Sequence, residues 1–125
     1  TKLPTDVFAP MIDARRMEVY TGIFDANYEK QKPVEALVVD EHAFAEELAN
    51  SRVFYFGNGA AKCRQVLTSP NAIYVDGITT SAKQMAKLSW IKFEKSEFVD
   101  VAYFEPYYLK DFIATVPKNY LSQSV

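Results

Sequence analysis

A hydrophobic run that enters a glycine turn is the part of this 125-residue sequence best suited to chemistry. Residues 53–56 have the composition of a strand, a Gly-Asn-Gly turn follows, and helix-forming residues begin at position 60. The first N–H groups of a helix lack internal partners and favour negative charge, so such a junction can hold a phosphate. The candidate nucleotide-contact loop consists of Gly57, Asn58, Gly59 and Ala60.

The alternative is that this loop only turns the chain. No Lys-Ser or Lys-Thr pair follows Gly59, as a phosphate-binding loop requires, and no acidic residue lies nearby in sequence to hold magnesium. In that interpretation the glycines supply positive φ angles and close packing. We expect the second interpretation to hold, with any nucleotide contact vestigial and no catalytic or metal-binding residue in the chain.

A second group of chemistry-bearing residues surrounds a short polar turn between two β-prone runs. Asp13 interrupts an apolar strand, and Arg15, Arg16 and Glu18 follow it closely. These residues form either a contact surface at the edge of a cleft, with Asp13, Arg15 and Glu18 as its candidates, or a solvated hairpin with weak cross-strand ion pairs. Both interpretations place the charges at the end of a hairpin.

The single histidine and the single cysteine favour no catalytic site. His42 has no second histidine at helical spacing, which argues against a zinc-peptidase site, and we expect it to be exposed. Cys63 shares the apolar side of a short helix with Ala60 and Leu67, so it is predicted to be a small core residue.

Composition limits the remaining classes of function and location. The length suits one domain, and 49% hydrophobic with 24% charged residues is ordinary globular usage. A formal net charge of −2 disfavours nucleic-acid binding unless a local basic patch overrides the total. One cysteine cannot form an internal disulfide, and neither a signal peptide nor a long apolar run is present. We therefore expect a cytoplasmic location and no membrane contact.

The candidate residues in the first half of the chain are predicted to lie on or next to strands. Residues 7–14 and 17–25 are β-prone and flank the two arginines, which predicts a hairpin. A turn at residues 25–27 and a third strand over residues 34–39 complete an antiparallel meander. Asp40 is a predicted helix N-cap, with Val39 and Phe44 as a hydrophobic staple and a helix to about Ala49.

Strands and helices alternate after this point. We expect a strand over residues 53–56, a short helix over 60–67 and a strand over 72–75. From Thr80 a helix is predicted whose apolar stripe packs against the sheet. The stripe comprises Ala82, Met85, Ala86, Ser89, Trp90 and Phe93. The aromatic segment over residues 99–110 is predicted to be extended, with Tyr103, Phe104, Tyr107 and Tyr108 on the sheet or at a protein contact.

The order of elements predicts an α/β (α+β) lobe of the actin-like ATPase type, related to ribonuclease H, with a mixed sheet that starts as a meander and is flanked by helices. Three local sequences carry a closer resemblance. Residues 11–25, with Ile12-Asp13-Ala14-Arg15 and Glu18-Val19-Tyr20, are followed by the Gly57–Gly59 turn and by Glu105-Pro106-Tyr107-Tyr108-Leu109-Lys110. In this order they resemble the second half of the TsaB (YeaZ) family, glycoprotease-like proteins of bacterial tRNA threonylcarbamoyladenosine biosynthesis.

The resemblance implies a domain division and a partial chain. Residues 1–10 would be the tail of an inter-lobe segment, 11–116 the C-terminal lobe and 117–125 a terminal tail. The strand with an Asp and the Gly-Pro-Gly-Ser-Phe-Thr-Gly loop of the family's first half are not found, so we expect a fragment. Lys110 stands where the family pattern has Arg, which keeps the charge and loses the bidentate geometry.

The resemblance also implies a role and partners. TsaB-like proteins pair with the catalytic subunit TsaD, mainly through their first half, and act with the ATPase TsaE; tRNA contact would be indirect. The chain would be a non-catalytic scaffold without a cofactor of its own, although ATP or ADP could occur in the full complex. A homodimer of the lobe is a further expectation. The alternatives are a lobe of an actin-like ATP-binding enzyme and a glycoprotease-like peptidase homologue.

Overall fold

The structure is a computed structural model, and it describes residues 5–110 of the chain. Its elements alternate between strands and helices in the order that the sequence predicts. They are β1 (Val7–Asp13), β2 (Glu18–Phe24), β3 (Lys30–Val38), α1 (Ala45–Asn50), β4 (Val53–Phe56), a 3₁₀ helix (Ala61–Gln65), β5 (Ala72–Tyr74) and α2 (Ala82–Glu94).

The five strands form one mixed sheet in the order β3-β2-β1-β4-β5. β1, β2 and β3 pair antiparallel, which confirms the predicted meander, and β4 and β5 add in parallel beside β1. The register pairs Pro10 with Phe56, so the carboxyl ends of β1 and β4 lie at the same edge of the sheet. Loops that follow these two strands are therefore neighbours, which is where open α/β sheets bind their ligands.

One face of the sheet is buried. Alternate strand residues such as Met11, Val19 and Tyr55 point into a buried core and are at most 1% exposed. Phe44 from the segment before α1 and Cys63 from the 3₁₀ helix cover them from above. This face supplies the hydrophobic core, since almost all fully buried side chains belong to it.

The opposite face is only half covered. Phe8 and Phe54 stack on it with ring centroids 5.2 Å apart, and α2 approaches it through Leu88 and Lys87. An open groove of about 350 Å³ remains between α2 and this face. The ammonium of Lys87 lies 5.3 Å from the centre of the Tyr28 ring and helps to hold α2 near the sheet.

The predicted orientation of α2 is wrong. The side of α2 that faces the sheet contains Gln84, Lys87 and Leu88. The predicted sheet-facing stripe lies on the other side of the helix, where Trp90 is 59% and Phe93 58% exposed. The physical reason is that α2 has apolar residues on both sides, so the period shows which residues share a face and not what that face contacts.

The helix after β3 begins later than predicted. The carboxylate of Asp40 accepts hydrogen bonds from the N–H groups of His42 and Ala43, as an N-cap does. Residues 41–44 form turns, and Phe44 adopts φ 60°, so the α-helix starts only at Ala45. Burial of Phe44 in the core, at 8% exposure, fixes this kink.

The aromatic end differs from its prediction as well. Among described residues 99–110 no strand forms, and turns occupy residues 101–103. Tyr103, Tyr107 and Tyr108 are more than 80% exposed, which argues against packing on the sheet, while the alternative of a protein contact stays a prediction. The predicted lobe boundary at residue 116 and the tail over residues 117–125 lie outside the described residues.

Over residues 5–110, neither helix combines the length and the apolar character needed to cross a bilayer.

Candidate functional site

The end of β1 and the glycine turn after β4 come together at one edge of the sheet. The N–H of Asp13 donates a hydrogen bond to the side-chain oxygen of Asn58 at 2.9 Å. The N–H of Gly59 donates to the carbonyl of Met11 at 3.0 Å. Two of the sequence-predicted groups, the glycine turn and the charged hairpin, are therefore parts of one site.

Close packing against β1 explains why glycines occupy positions 57 and 59. A Cβ atom on Gly57 would overlap the carbonyl oxygen of Met11, and the residue has φ 95°. A Cβ atom on Gly59 would lie 3.0 Å from the backbone nitrogen of Asp13. Both contacts are with backbone, which cannot move aside easily, so Gly57 requires glycine and a larger residue at Gly59 would need β1 to shift by a few tenths of an ångström.

Two amide groups of the glycine turn already have hydrogen-bond partners, one in β1 and one within the turn. Besides the bond from Gly59, the N–H of Ala60 donates to the carbonyl of Gly57 at 3.2 Å. The helical segment that follows is a 3₁₀ helix of five residues. Since two amides of the turn are already paired, the turn gives a phosphate fewer donors than an open helix start would. A nucleotide contact by residues 57–60 stays a prediction.

Lys62 is the residue of this site that sequence reasoning missed. Its ammonium bonds to the carboxylate of Asp13 and donates to the carbonyl of Glu18 at 2.7 Å. This ammonium lowers the pKa of Asp13 below its ordinary value. Its place in the first helical turn after Gly59 could have indicated that Lys62 reaches the end of β1.

A second lysine, Lys110, also contacts the hairpin. The ammonium of Lys110 pairs with the carboxylate of Glu18, 92 residues away in sequence. Lys110 is therefore held at the same edge of the sheet as Asp13. The predicted cross-strand ion pairs within the hairpin are replaced by pairs to these two lysines.

The two arginines of the hairpin turn have a different environment. Arg15 and Arg16 are exposed and adopt φ 74° and 46°. Within residues 5–110 neither guanidinium makes an ion pair, because Asp13 and Glu18 are already bound by lysines. Among the residues that the structure describes, no carboxylate therefore compensates the two positive charges of the turn.

The histidine and the cysteine have different environments, and the thiol of Cys63 lies 3.5 Å from the carbonyl oxygen of Gly59. The side chain of His42 is 82% exposed, as predicted, and its ring is 3.5 Å from the carboxylate of Glu41. Cys63 is fully buried, which confirms a core position, and burial raises the pKa of its thiol. In the part of the chain that the structure describes, no group of three His, Cys, Asp or Glu residues is arranged to hold a metal ion.

A separate apolar surface lies on the outer side of α2. Trp90 stacks on Phe93 with ring centroids 5.5 Å apart, and Phe98 meets Phe93 edge-on at 5.8 Å. All three rings are more than half exposed. We call Trp90, Phe93 and Phe98 the outer aromatic cluster. Exposed apolar patches of this kind are typical of protein contacts.

Comparison with known proteins supports the fold alone. No family model matches the chain, and no curated protein matches it in sequence. A solved crystal structure from Pseudomonas aeruginosa, described as an uncharacterized protein with similarity to peptidase YEAZ, matches with a TM-score of 0.66 and 21% identity. The match covers 83% of this chain and 49% of that one, so this chain spans about half the length of the solved structure. The mixed α/β architecture is therefore similar to that of a YEAZ-like protein.

Proposed function

We propose that this chain is a non-catalytic partner protein of tRNA threonylcarbamoyladenosine modification, an actin-like lobe of the TsaB type that binds a TsaD-like catalytic subunit. The observation that carries the proposal is the outer aromatic cluster. Trp90, Phe93 and Phe98 remain exposed although a half-open sheet face lies on the other side of the same helix. Apolar side chains held outside a core favour a role in binding another protein.

The fold and the local sequences support the choice of pathway. The chain resembles a YEAZ-like structure in fold, and the three local sequences of the TsaB resemblance occur in order. Two of those sequences are in contact, since Lys110 of the last one pairs with Glu18 of the first. A peptidase role has less support, because within residues 5–110 the ring of the exposed His42 is within ion-pair distance of the Glu41 carboxylate alone.

A second candidate function is one lobe of an ATP-binding enzyme. The observation that favours it is the junction of Asp13 with the turn at Asn58, at the carboxyl ends of parallel strands. In this alternative the turn would contact adenosine and the catalytic acids would come from another lobe. A thermal shift with magnesium-ATP separates the candidates, because a ligand that binds only the folded state raises the apparent stability.

The direct test of the partner role is binding to a TsaD-like subunit. Because the resemblance places most of the TsaD contact in the family's first half, we expect this chain to bind that subunit more weakly than a full-length TsaB-like protein in isothermal titration calorimetry, and Trp90→Ser to weaken the remaining binding at least tenfold. The control is Val38→Ser, because Val38 is 65% exposed at the edge strand β3, far from α2 in sequence. The control is expected to bind like the unaltered chain.

An activity assay completes the test. Threonylcarbamoyl transfer to tRNA is reconstituted with TsaD, TsaE and the threonylcarbamoyl-adenylate synthase, with and without this chain. We expect the chain to change the yield of modified adenosine and Trp90→Ser to remove that change. Absence of both binding and any effect on yield would contradict the proposal, and a magnesium-ATP shift would then favour the enzyme lobe.

A further inference from the structure

The groove between α2 and the open sheet face is not used by either candidate function. We call this groove of about 350 Å³ the inner groove. Three neighbouring strands form its floor, through Phe8 and Pro10 of β1, Phe24 of β2 and Phe56 of β4. Its volume lies within the range of small-molecule sites in proteins, roughly 300–1,000 Å³. The inner groove is therefore large enough for a small ligand.

The walls of the inner groove favour an aromatic ring as occupant. Besides the three phenylalanines of the floor, Tyr28 lines it from the turn after β2 and Leu88 from α2. Water gains few hydrogen bonds from such walls, so its replacement by an apolar group is favourable. Aromatic side chains also attract other rings in offset-stacked and edge-to-face contacts. A planar aromatic ligand would use both effects.

Polar groups of α2 lie along one wall of the groove. Gln84 and Lys87, three residues apart on α2, both line it. The ammonium of Lys87 lies 5.3 Å from the centre of the Tyr28 ring and forms no ion pair within residues 5–110. An ammonium only donates hydrogen bonds, and the amide of Gln84 can donate as well. A ligand that fits this wall carries hydrogen-bond acceptors.

The acidic residue of the groove does not provide that acceptor. Asp25 lines the inner groove, but both of its carboxylate oxygens are in use. Oδ1 accepts from the N–H groups of Asn27 at 2.7 Å and Glu29 at 3.0 Å. Oδ2 accepts from the side-chain amide of Gln31 at 3.0 Å. The positive charge of Lys87 therefore remains available to a ligand.

From these observations we propose that the inner groove binds a planar aromatic carboxylate. The ring lies against Phe8, Phe24 and Phe56, and the carboxylate pairs with Lys87. Charge complementarity selects this ligand over a neutral or cationic aromatic compound, because an ammonium among aromatic walls favours an anion. The inner groove shares no residue with the glycine turn or with the outer aromatic cluster. The inference therefore goes beyond both candidate functions.

The experiment is an NMR titration of the ¹⁵N-labelled chain with naphthalene-1-carboxylate. We expect the amide signals of Phe8, Phe24, Phe56 and Lys87 to shift with one common affinity. Naphthalene-1-methylammonium has a similar ring and the opposite charge, and it should bind at least tenfold more weakly. Adenosine serves as a third probe, and binding as tight as that of the carboxylate would overturn the proposal.

A pair of lysine variants tests the charge. Lys87→Met removes the ammonium and keeps an apolar stem, so affinity for the carboxylate should fall roughly tenfold, as expected for loss of a hydrogen bond to a charged group. Lys83→Met is the matched control, because Lys83 is exposed on the same helix and does not line the groove. We expect this control to bind within twofold of the unaltered chain. An equal loss in both variants would mean attraction by net charge alone and would contradict the proposal.

A third variant tests the groove itself. Leu88 is 53% exposed, so Leu88→Trp can place a larger ring in the inner groove without disturbing the buried core. We expect this variant to lose binding of naphthalene-1-carboxylate and to keep its melting temperature. If the unaltered chain does not bind this probe, if its shifts are confined to the outer aromatic cluster, or if Leu88→Trp binds it unchanged, the proposal is wrong.

Discussion

The side-chain oxygen of Asn58 accepts a hydrogen bond from the backbone N–H of Asp13 at 2.9 Å, across 45 residues of sequence. This bond joins the glycine turn after β4 to the last residue of β1. The same junction contains the bond from the N–H of Gly59 to the carbonyl of Met11. The turn therefore stabilises the end of β1, whether or not it contacts a nucleotide.

The first prediction compares two glycines that share a positive φ. Gly57→Ala places a methyl group against the carbonyl oxygen of Met11, whereas the same change at Gly77, φ 76°, meets nothing within 4 Å. Backbone strain of about 1 kcal/mol is common to both. We expect Gly57→Ala to lose at least about 2 kcal/mol more than Gly77→Ala because of the clash. Urea unfolding measures the difference, and equal losses would mean that the turn is not packed on β1.

The second prediction concerns a buried hydroxyl. Tyr55 is fully buried, and its hydroxyl has no hydrogen-bond partner among the described residues. Burial also raises the pKa of Tyr55 above its ordinary value. We expect Tyr55→Phe to raise the free energy of unfolding by about 1 kcal/mol, because an unsatisfied polar group is removed.

The neighbouring Tyr74 provides the control for this change. Its hydroxyl donates to the carbonyl of Leu67 at 3.2 Å, and burial raises the pKa of Tyr74 to about 12. Tyr74→Phe loses that bond, so it should lower the free energy of unfolding by about 1 kcal/mol. The two rings are 5.3 Å apart, although Tyr55 is fully buried and Tyr74 only half-buried. The same sign for both changes would contradict the hydrogen-bond assignment.

Sequence patterns predicted the sheet well because its signals are local. The two arginines mark the first hairpin, and residues 53–56 were predicted with the observed bounds. β3 is longer than predicted and starts at Lys30, because pairing with β2 holds residues of low strand propensity in extended form. Pro33 fits there since β3 is an edge strand.

Sequence patterns predicted the site only in part. The Gly-Asn-Gly turn and the hairpin charges were visible as motifs, but the pairs Lys62 with Asp13 and Lys110 with Glu18 join residues 49 and 92 positions apart. The place of Lys62 just after the glycine turn was a local signal for the first pair, whereas no local spacing encodes the second. The orientation of α2 was missed for a related reason, since Leu88 and Trp90 lie on opposite sides of one helix and both are apolar.

The third prediction follows from the lowered pKa of Asp13. The bond to Lys62 keeps this carboxyl charged in the folded state, so the stabilisation is present above the ordinary pKa of 3.8 and is lost as pH falls through the lower folded value. We expect Asp13→Asn to lower the melting temperature at pH 5 to 7. The difference in melting temperature between Asp13→Asn and the unaltered chain should disappear as the pH is reduced below 3.8.

A carboxyl on another turn serves as the control for the pH experiment. Glu29→Gln removes the same charge at the exposed turn between β2 and β3 and should shift the melting temperature little at any of these pH values. A difference between Asp13→Asn and the unaltered chain that persists unchanged at the lowest pH would mean that the ion pair does not cause it.

The last prediction tests the orientation of α2 with the only tryptophan in the chain. Trp90 is 59% exposed on the outer side of the helix, whereas the predicted stripe would bury it against the sheet. We expect its fluorescence to be red-shifted and strongly quenched by acrylamide in the dilute chain, with little further shift in urea. Addition of a binding partner should shift the emission to the blue and protect it from quenching, because the outer aromatic cluster becomes covered. A dilution series separates this from self-association, which would protect Trp90 only at high concentration. Blue-shifted emission that persists on dilution would instead place Trp90 against the sheet, and the outer aromatic cluster could then not be the partner-binding surface.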